Sequence, residues 1–232
     1  MKEGKLPIID SNSHVNRLVL DWIESGRTEQ EGFDWSKGRQ RWIQAFPKYR
    51  VHFSDLPDLI DRKHVREVFE SNIDITAKFL TSMVWGYGDR GYGPFRVSKM
   101  FEQSNYKSIL SKVFELSASG NPLEAYKFLE SNRIRNLGPS FSTKFIYFGT
   151  PREVGAPIFD SYIAKWIAHQ EIDRFAYLSI TSERWNFKTY SAYWHWAIEI
   201  SARHKILPDE LELIIFRDAE ALFSKNSIWE GK

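Results

Sequence analysis

The chain has 232 residues, of which 42% are hydrophobic and 16% aromatic, so it can build a packed core and is not intrinsically disordered. The lack of cysteine excludes disulfides, iron–sulfur clusters and thiolate nucleophiles, and no apolar run is long enough for a membrane span or a signal peptide. The formal net charge is only +2, so affinity for nucleic acid requires local basic clusters, and we expect a cytoplasmic protein without membrane contact.

Hydrophobic periodicity predicts a mostly α-helical chain that forms one compact domain over residues 1–232, divided into two lobes. Residues 1–16 are expected to be irregular, and 175–180 to be extended or a loop. Ser36, Asp61 and Asn121 are predicted N-caps, with Pro122 and Pro208 at helix starts. The predicted helices cover 18–24, 39–46, 64–71, 74–85, 96–101, 106–117, 122–131, 144–148, 161–169, 188–204 and 209–223.

Residues 133–160 combine two helices, a tight turn and an acid. The Gly-Pro-Ser turn at 138–140 follows one helix, Ser142 and Thr143 are predicted N-caps of the next, and Gly-Thr-Pro at 149–151 ends it. Backbone N–H groups of a turn at a helix start form an anion site, and Gly138 permits close approach or a left-handed conformation. Five basic residues stand against two acids between 133 and 165, a local charge of +3 that could equally be an ordinary solvated face.

This order of helix, hairpin, helix, loop and aspartate resembles the helix-hairpin-helix DNA glycosylases, most closely their 8-oxoguanine branch. The family hairpin is usually written Leu-Pro-Gly-Val-Gly; residues 137–142 read LGPSFS, without the second glycine and with one residue more. The family's Val-Pro-Val-Asp corresponds to APIFD at 156–160, again one residue longer. The resemblance implies a compact bacterial or archaeal form, because there is no room for an extra N-terminal β-domain, with the helix-hairpin-helix at about 122–150.

The same resemblance assigns the catalytic residues. Lys144 matches the lysine that attacks the sugar C1′ in bifunctional members and forms a Schiff base, which requires a neutral amine. Asp160 matches the aspartate that stabilises positive charge on the sugar as the base leaves. Lys144 could instead be a surface lysine or a phosphate contact, and Asp160 could be a helix N-cap alone.

The resemblance also suggests binding residues. A phosphate would be held by the hairpin and a nearby arginine, namely Gly138, Ser140, Ser142, Thr143 and Arg135. Aromatic and basic side chains that could fill the gap left by an extruded base, or wall its pocket, are Trp85, Tyr87, Arg90, Tyr92 and Trp194. These aromatics could equally belong to the core or to a glycine-rich helix connection, and no Gly-Lys-Ser/Thr follows that would make residues 85–94 a nucleotide phosphate loop.

The predicted function is therefore a DNA glycosylase that acts on double-stranded DNA as a monomer, with 8-oxoguanine as the default substrate. No metal-ligand spacing is present and no cofactor is required, although the resemblance allows a structural Na⁺ or K⁺ at the hairpin. Strand nicking by lyase chemistry is an additional expectation. The alternatives are removal of a modified base from phage DNA in defence, a non-catalytic helix-hairpin-helix DNA-binding module, and a helical partner-binding protein.

Overall fold

The computed structural model describes residues 12–27, 30–89, 91–170, 172 and 185–223, and most of them are helical. This confirms the predicted mostly α-helical class. The helices are α1 (Ser13–Glu24), α2 (Ser36–Ala45), α3 (Arg50–Asp55), α4 (Arg62–Glu70), α5 (Ile75–Tyr87), α6 (Gly93–Phe101), α7 (Tyr106–Ala118), α8 (Pro122–Ser131), α9 (Pro139–Gly149), α10 (Ser161–His169), α11 (Phe187–His204) and α12 (Pro208–Phe223). A 3-10 turn at Pro47–Tyr49 precedes α3.

Several helices begin at the residues that the sequence predicts. Asp61 caps α4 by accepting a hydrogen bond from the backbone N–H of His64. Helix α8 starts at Pro122 and α12 at Pro208. Proline suits a first helical turn because its φ is already helical and its missing N–H would have had no partner there. Asn121 occupies the N-cap position of α8, but its side chain makes no capping bond.

Other predicted boundaries are wrong. Helix α1 begins at Ser13, inside the stretch expected to be irregular, and Ser36 is the first residue of α2 rather than its cap. Helix α5 continues to Tyr87 and α6 begins at Gly93, so the glycine-rich loop is shorter than its composition suggests. Burial of the last turn of α5 outweighs the low helix propensity of the glycine within it.

The largest error concerns α9, the helix after the hairpin. It begins at Pro139 and its N-cap residue is Gly138, so Ser142 and Thr143 lie inside the helix and do not cap it. Proline at the first position supplies the start signal, and it precedes the two hydroxyl residues that are predicted as caps.

A short antiparallel pair of strands, β1 (Phe33–Asp34) and β2 (Leu59–Ile60), was not predicted. Phe33 pairs with Ile60 and Asp34 with Leu59, which joins the segment before α2 to the segment before α4. Strands of two residues carry no readable alternation, and their partners are far apart in sequence.

The helices form two groups that meet across a cleft. Helix α5 packs against α4, α6, α7 and α9, whereas α12 packs against α1, α10 and α11. Helix α8 contacts α7 and α9 on one side and α11 on the other, so it connects the groups. Among the described residues, no helix combines the length and apolarity needed to cross a membrane. The stretch 175–180, which was predicted to be extended or a loop, lies outside the described residues.

Candidate active site

A cleft of about 960 Å³ lies between the two groups of helices. Its walls come from residues 30–34, the end of α5, the start of α9, residues 158–162 and one side of α12. The start of α9 and the start of α10 therefore face the same space, although the rest of α9 and a loop separate them in sequence.

Lys144 of α9 and Asp160, directly before α10, meet in the wall of this cleft. The Lys144 Nζ lies 3.0 Å from the Asp160 Oδ2, and the two side chains are only 10% and 13% exposed. Lys144 also donates to the Ser140 hydroxyl oxygen, one turn earlier in α9, at 3.3 Å. The structure thus brings together the two residues that the sequence predicts to be catalytic.

The Asp160 carboxylate is held by three donors. Its Oδ1 accepts hydrogen bonds from the backbone N–H groups of Tyr162 at 3.1 Å and Ile163 at 3.3 Å, which makes Asp160 the N-cap of α10. Its Oδ2 accepts from Lys144. The capping role and the pairing with lysine therefore coexist, because each uses a different oxygen.

Thr143 fixes the distance between the lysine and the aspartate. Its buried hydroxyl oxygen accepts a hydrogen bond from the Phe159 N–H at 3.1 Å and lies 3.1 Å from the Ser140 carbonyl oxygen, to which it donates. Thr143 precedes Lys144 and Phe159 precedes Asp160, so this contact sets the register of α9 against α10. The neighbouring Ser142 hydroxyl donates to the Gly138 carbonyl oxygen at 3.0 Å.

The model of the family described as "Putative 8-oxoguanine DNA glycosylase OGG-like protein" matches residues 26–216, which is more than half of the chain. The chain belongs to this OGG-like family. The matched range contains the hairpin, the Lys144–Asp160 pair and most of the cleft wall. The predicted 8-oxoguanine branch is thereby confirmed. The curated proteins and the solved structures with which the chain was compared yield no match.

Gly86 is a residue of the cleft wall that sequence reasoning missed. A Cβ at this position would lie 2.7 Å from the Phe141 Cε1 and 3.2 Å from the Lys144 Cδ. The Phe141 ring is itself stacked on Tyr87, with ring centres 4.2 Å apart. Glycine at 86 therefore lets α5 approach α9 closely enough to support the lysine. The glycine-rich run at 85–94 drew attention to this segment, but it predicted a loop and not the close packing of two helices.

A second buried ion pair, Arg62 with Glu212, also lines the cleft and was not predicted. The Arg62 Nη1 lies 2.6 Å from the Glu212 Oε2, and the arginine also donates to the Gln30 Oε1 at 2.7 Å and the Tyr147 hydroxyl oxygen at 3.2 Å. Burial raises the pKa of the Glu212 carboxyl, an effect that Arg62 opposes. In the sequence, Glu212 interrupts the apolar run LELII, and a charged residue inside such a run could have indicated a buried ion pair.

The predicted aromatic residues have different fates. Trp85 and Tyr87 line the cleft but are 8% and 3% exposed, so they form its wall and cannot enter DNA as a wedge. Tyr92 also lines the cleft and is 49% exposed. Trp194 is not among the described residues that line it, because its indole N–H donates to the Gly155 carbonyl oxygen at 2.9 Å. Arg90 lies outside the described residues.

The hairpin between α8 and α9 differs from the expected geometry. Gly138 has φ −84°, so it is not left-handed; Asn136 occupies that region instead, with φ +68°. No atom lies within 4 Å of a Cβ built on Gly138, so the space before it is open. Gly138 and Ser140 line the cleft, whereas Arg135 is exposed beside it.

Two other hairpin predictions concern Ser142, Thr143 and a cation. The hydroxyls of both residues are bonded inside the protein, so the predicted DNA contact cannot use them without breaking those bonds. The Gly138 carbonyl oxygen accepts from the Phe141 and Ser142 N–H groups and from the Ser142 hydroxyl. Its lone pairs are therefore occupied, and this oxygen does not fit a Na⁺ or K⁺ ligand.

Proposed function

We propose that this protein is a DNA glycosylase that removes a damaged base from duplex DNA, with 8-oxoguanine as its first expected substrate. The observation that carries the proposal is the Lys144–Asp160 contact of 3.0 Å in the wall of a cleft. Membership of the OGG-like family supports the reaction class. Excision of a modified phage base is the variant of this proposal in which only the substrate differs.

The cleft has the size and lining that an extruded nucleotide needs. Its volume of about 960 Å³ lies within the usual range for small-molecule sites. Trp85, Tyr162 and Phe216 contribute aromatic surface to its wall, and flat rings hold bases by stacking. Extrusion itself costs a few kcal/mol, which contacts in the cleft must offset.

Asp160 acts on the sugar as the glycosidic bond breaks. The departing base takes the electron pair of that bond and a proton from Lys144 or from solvent, and positive charge develops at C1′. Asp160 is fixed by its two backbone donors, so its carboxylate can stabilise that charge without reorientation. A carboxylate that is already held in place lowers the reaction barrier more than one that must be ordered during the reaction.

Lys144 supplies the nucleophile of the bifunctional version. Once its ammonium has given up a proton, the nitrogen lone pair attacks C1′ and forms the N–C1′ bond. The glycosidic bond breaks as this bond forms. The C1′–O4′ bond then opens, with O4′ taking a proton, to give a Schiff base, and loss of a C2′ proton expels the 3′ phosphate by elimination. The proton from the ammonium goes to the departing base, so Asp160, whose Oδ2 lies 3.0 Å from the Nζ, remains a carboxylate while positive charge develops at C1′.

A purely structural ion pair is the plain alternative. Burying two charges has a desolvation cost that their attraction often fails to offset, so a pair this buried is weak grounds for stability. Lys144 and Asp160 also face a cleft rather than the interior of a lobe. Both points favour a chemical role for the pair.

Borohydride trapping tests the proposal directly. The substrates are a duplex with 8-oxoguanine opposite cytosine, an undamaged duplex and modified phage DNA. We expect a covalent protein–DNA adduct with the first, lost in Lys144→Ala. Lys165→Ala is the matched control, because Lys165 is exposed on α10 and should leave the adduct intact.

The remaining outcomes separate the alternatives. Alkali-labile sites without an adduct, absent in Asp160→Asn, would show a glycosylase that uses water as nucleophile. An adduct only with phage DNA would assign the substrate to modified bases. Duplex binding without base loss on any substrate would overturn the catalytic proposal and favour the non-catalytic DNA-binding module.

A further inference from the structure

A second, smaller groove adjoins the cleft on the side of the hairpin. Its volume is about 350 Å³. Arg96 lines both this groove and the cleft, so the two depressions are adjacent. The groove is lined by Phe95, Arg96, Lys99, Glu102, Arg135 and Asn136.

Phe95 is the unusual residue of this groove. It lies in the first turn of α6 and is 64% exposed, a large fraction for a phenylalanine in a chain with so many buried rings. The Lys99 Nζ lies 5.7 Å from the centre of its ring, so a cation flanks the aromatic face. An exposed ring among cations suits a flat, negatively charged partner.

The charge of the groove is positive. Arg96, Lys99 and Arg135 stand against Glu102, which pairs with Lys99 at 2.6 Å. Within the described part of the chain, the guanidinium groups of Arg96 and Arg135 form no side-chain hydrogen bond or ion pair. The two arginines are thus left to bind anions from outside. The exposed Lys99–Glu102 pair is weak because water screens its charges, so Lys99 can also exchange Glu102 for a phosphate.

The protein holds this groove in shape. The Gln103 side chain donates to the Arg133 carbonyl oxygen at 3.2 Å and accepts from the Arg135 N–H at 3.1 Å, which ties the end of α6 to the hairpin. The start of α6 packs tightly on Tyr87, because a Cβ on Gly93 would lie 2.8 Å from that ring. Phe95 and Arg135 therefore keep a defined spacing.

We propose that this groove binds the DNA next to the extruded nucleotide, with Lys99 and Arg135 on phosphates and Phe95 against the adjacent base. The inference rests on the proposed function, since the cleft must hold an extruded nucleotide for the groove to receive its neighbour. The position of the groove directly beside the cleft, with Arg96 lining both, favours DNA over an acidic peptide. Phe95 thus takes the wedge role that Trp85 and Tyr87 cannot fill from their buried positions.

The salt dependence of binding tests the phosphate contact. The probes are an undamaged duplex and one with a central tetrahydrofuran abasic-site analogue, and anisotropy gives the affinity at several salt concentrations. Lys99→Gln should reduce the slope of log K against log salt by about 0.9 on both probes. Lys112→Gln is the matched control and should leave the slope unchanged, because Lys112 pairs with Glu115 three residues on, as Lys99 does with Glu102.

The aromatic contact is tested with Phe95→Ala. We expect roughly tenfold weaker binding to the tetrahydrofuran duplex and little change on the undamaged one, because only the former presents a gap beside the base. Val51→Ala is the control, since Val51 is 71% exposed and outside both depressions.

The outcomes distinguish this inference from the proposed function. If the wild type prefers the tetrahydrofuran duplex but Phe95→Ala binds like Val51→Ala, the groove proposal is overturned and the glycosylase proposal stands. An equal slope for Lys99→Gln and Lys112→Gln would also overturn it. If the wild type shows neither that preference nor base release, the proposed function fails as well.

Discussion

Asp61 and Asp160 are two aspartates with the same local structure and different surroundings. Each is the N-cap of a helix, with φ −119° and ψ −177° at Asp61 and φ −123° and ψ −176° at Asp160. Each accepts a hydrogen bond from a backbone N–H in the first turn of its helix. Judged by local geometry alone, the two residues are equivalent.

Their basic partners distinguish them. Asp61 pairs with His64 of its own helix at 2.7 Å, and its side chain is 29% exposed. Asp160 pairs with Lys144 from a different helix, is less exposed, and lines the cleft. An N-cap by itself only stabilises the start of a helix. A capping carboxylate that also lies in a cleft beside a lysine from another helix can take part in a reaction.

Replacing each aspartate by asparagine should give the largest contrast. Asparagine caps helices as well as aspartate does, so both helix starts survive. We expect Asp160→Asn to slow single-turnover base release by about a thousandfold, ~4 kcal/mol of barrier, because the charge that stabilises C1′ is lost. Asp61→Asn should change the rate by less than about twofold.

Folding must be checked in parallel, because Asp160→Asn leaves the buried Lys144 without its carboxylate. Circular dichroism melting shows whether the variant is folded at the assay temperature. The double variant Asp160→Asn with Lys144→Met removes the stranded charge and should melt higher than the single variant. Equal loss of activity at both caps would contradict the distinction between them.

Gly86→Ala tests the support of Lys144 without changing any charge. The helix propensity of alanine would by itself add about 1 kcal/mol of stability. The new Cβ would lie 2.7 Å from the stacked Phe141 ring, and such overpacking costs about 1–3 kcal/mol. We expect a net loss of stability in urea unfolding, together with slower base release because Phe141 and Lys144 must shift.

Gly138→Ala is the matched control for that substitution. Gly138 has an ordinary negative φ, and a Cβ added there would meet no other atom within 4 Å. The free energy of unfolding of Gly138→Ala should therefore differ from wild type by less than about 0.5 kcal/mol. If Gly86→Ala were as stable as Gly138→Ala and released the base at the wild-type rate, the close approach of α5 to α9 would have no functional role.

Asp61→Ala should have the smallest effect. Loss of the cap of α4 is expected to lower the free energy of unfolding by about 1 kcal/mol in urea titration. Base release by the folded protein should stay at the wild-type rate, since Asp61 is not among the described residues that line the cleft. A large loss of activity at unchanged stability would mean that Asp61 acts on the site.

The sequence predicted those features that depend on local chemistry. Asp61 before α4, Pro122 and Pro208 at helix starts, and Asp160 before an apolar helix are signals carried within one turn. The choice of Lys144 and Asp160 as catalytic residues came from the resemblance to a family, and their contact was found only in the structure. No periodicity in the residues themselves indicates that contact.

Features made by packing between distant segments were missed. Nothing near Arg62 indicates that it pairs with Glu212, and the demand for glycine at 86 comes from the Phe141 ring of another helix. The resemblance suggested Trp194 for the pocket wall, but an aromatic stripe marks a buried face without indicating which cavity that face lines. The prediction of Ser142 and Thr143 as caps is wrong because two start signals, a proline and a hydroxyl residue, lie within a few residues and the proline is the one used.

The Thr143–Phe159 contact has a consequence for how the chain can change in length. This contact and the Asp160 cap position the two site residues, so the length of the loop at 150–158 does not determine the distance between them. Lengthening a flexible loop costs only about 0.6 kcal/mol for each doubling. The additional residue before Asp160, relative to the usual family spacing, can therefore be absorbed at exposed positions such as Glu153 while the lysine and the carboxylate stay in contact.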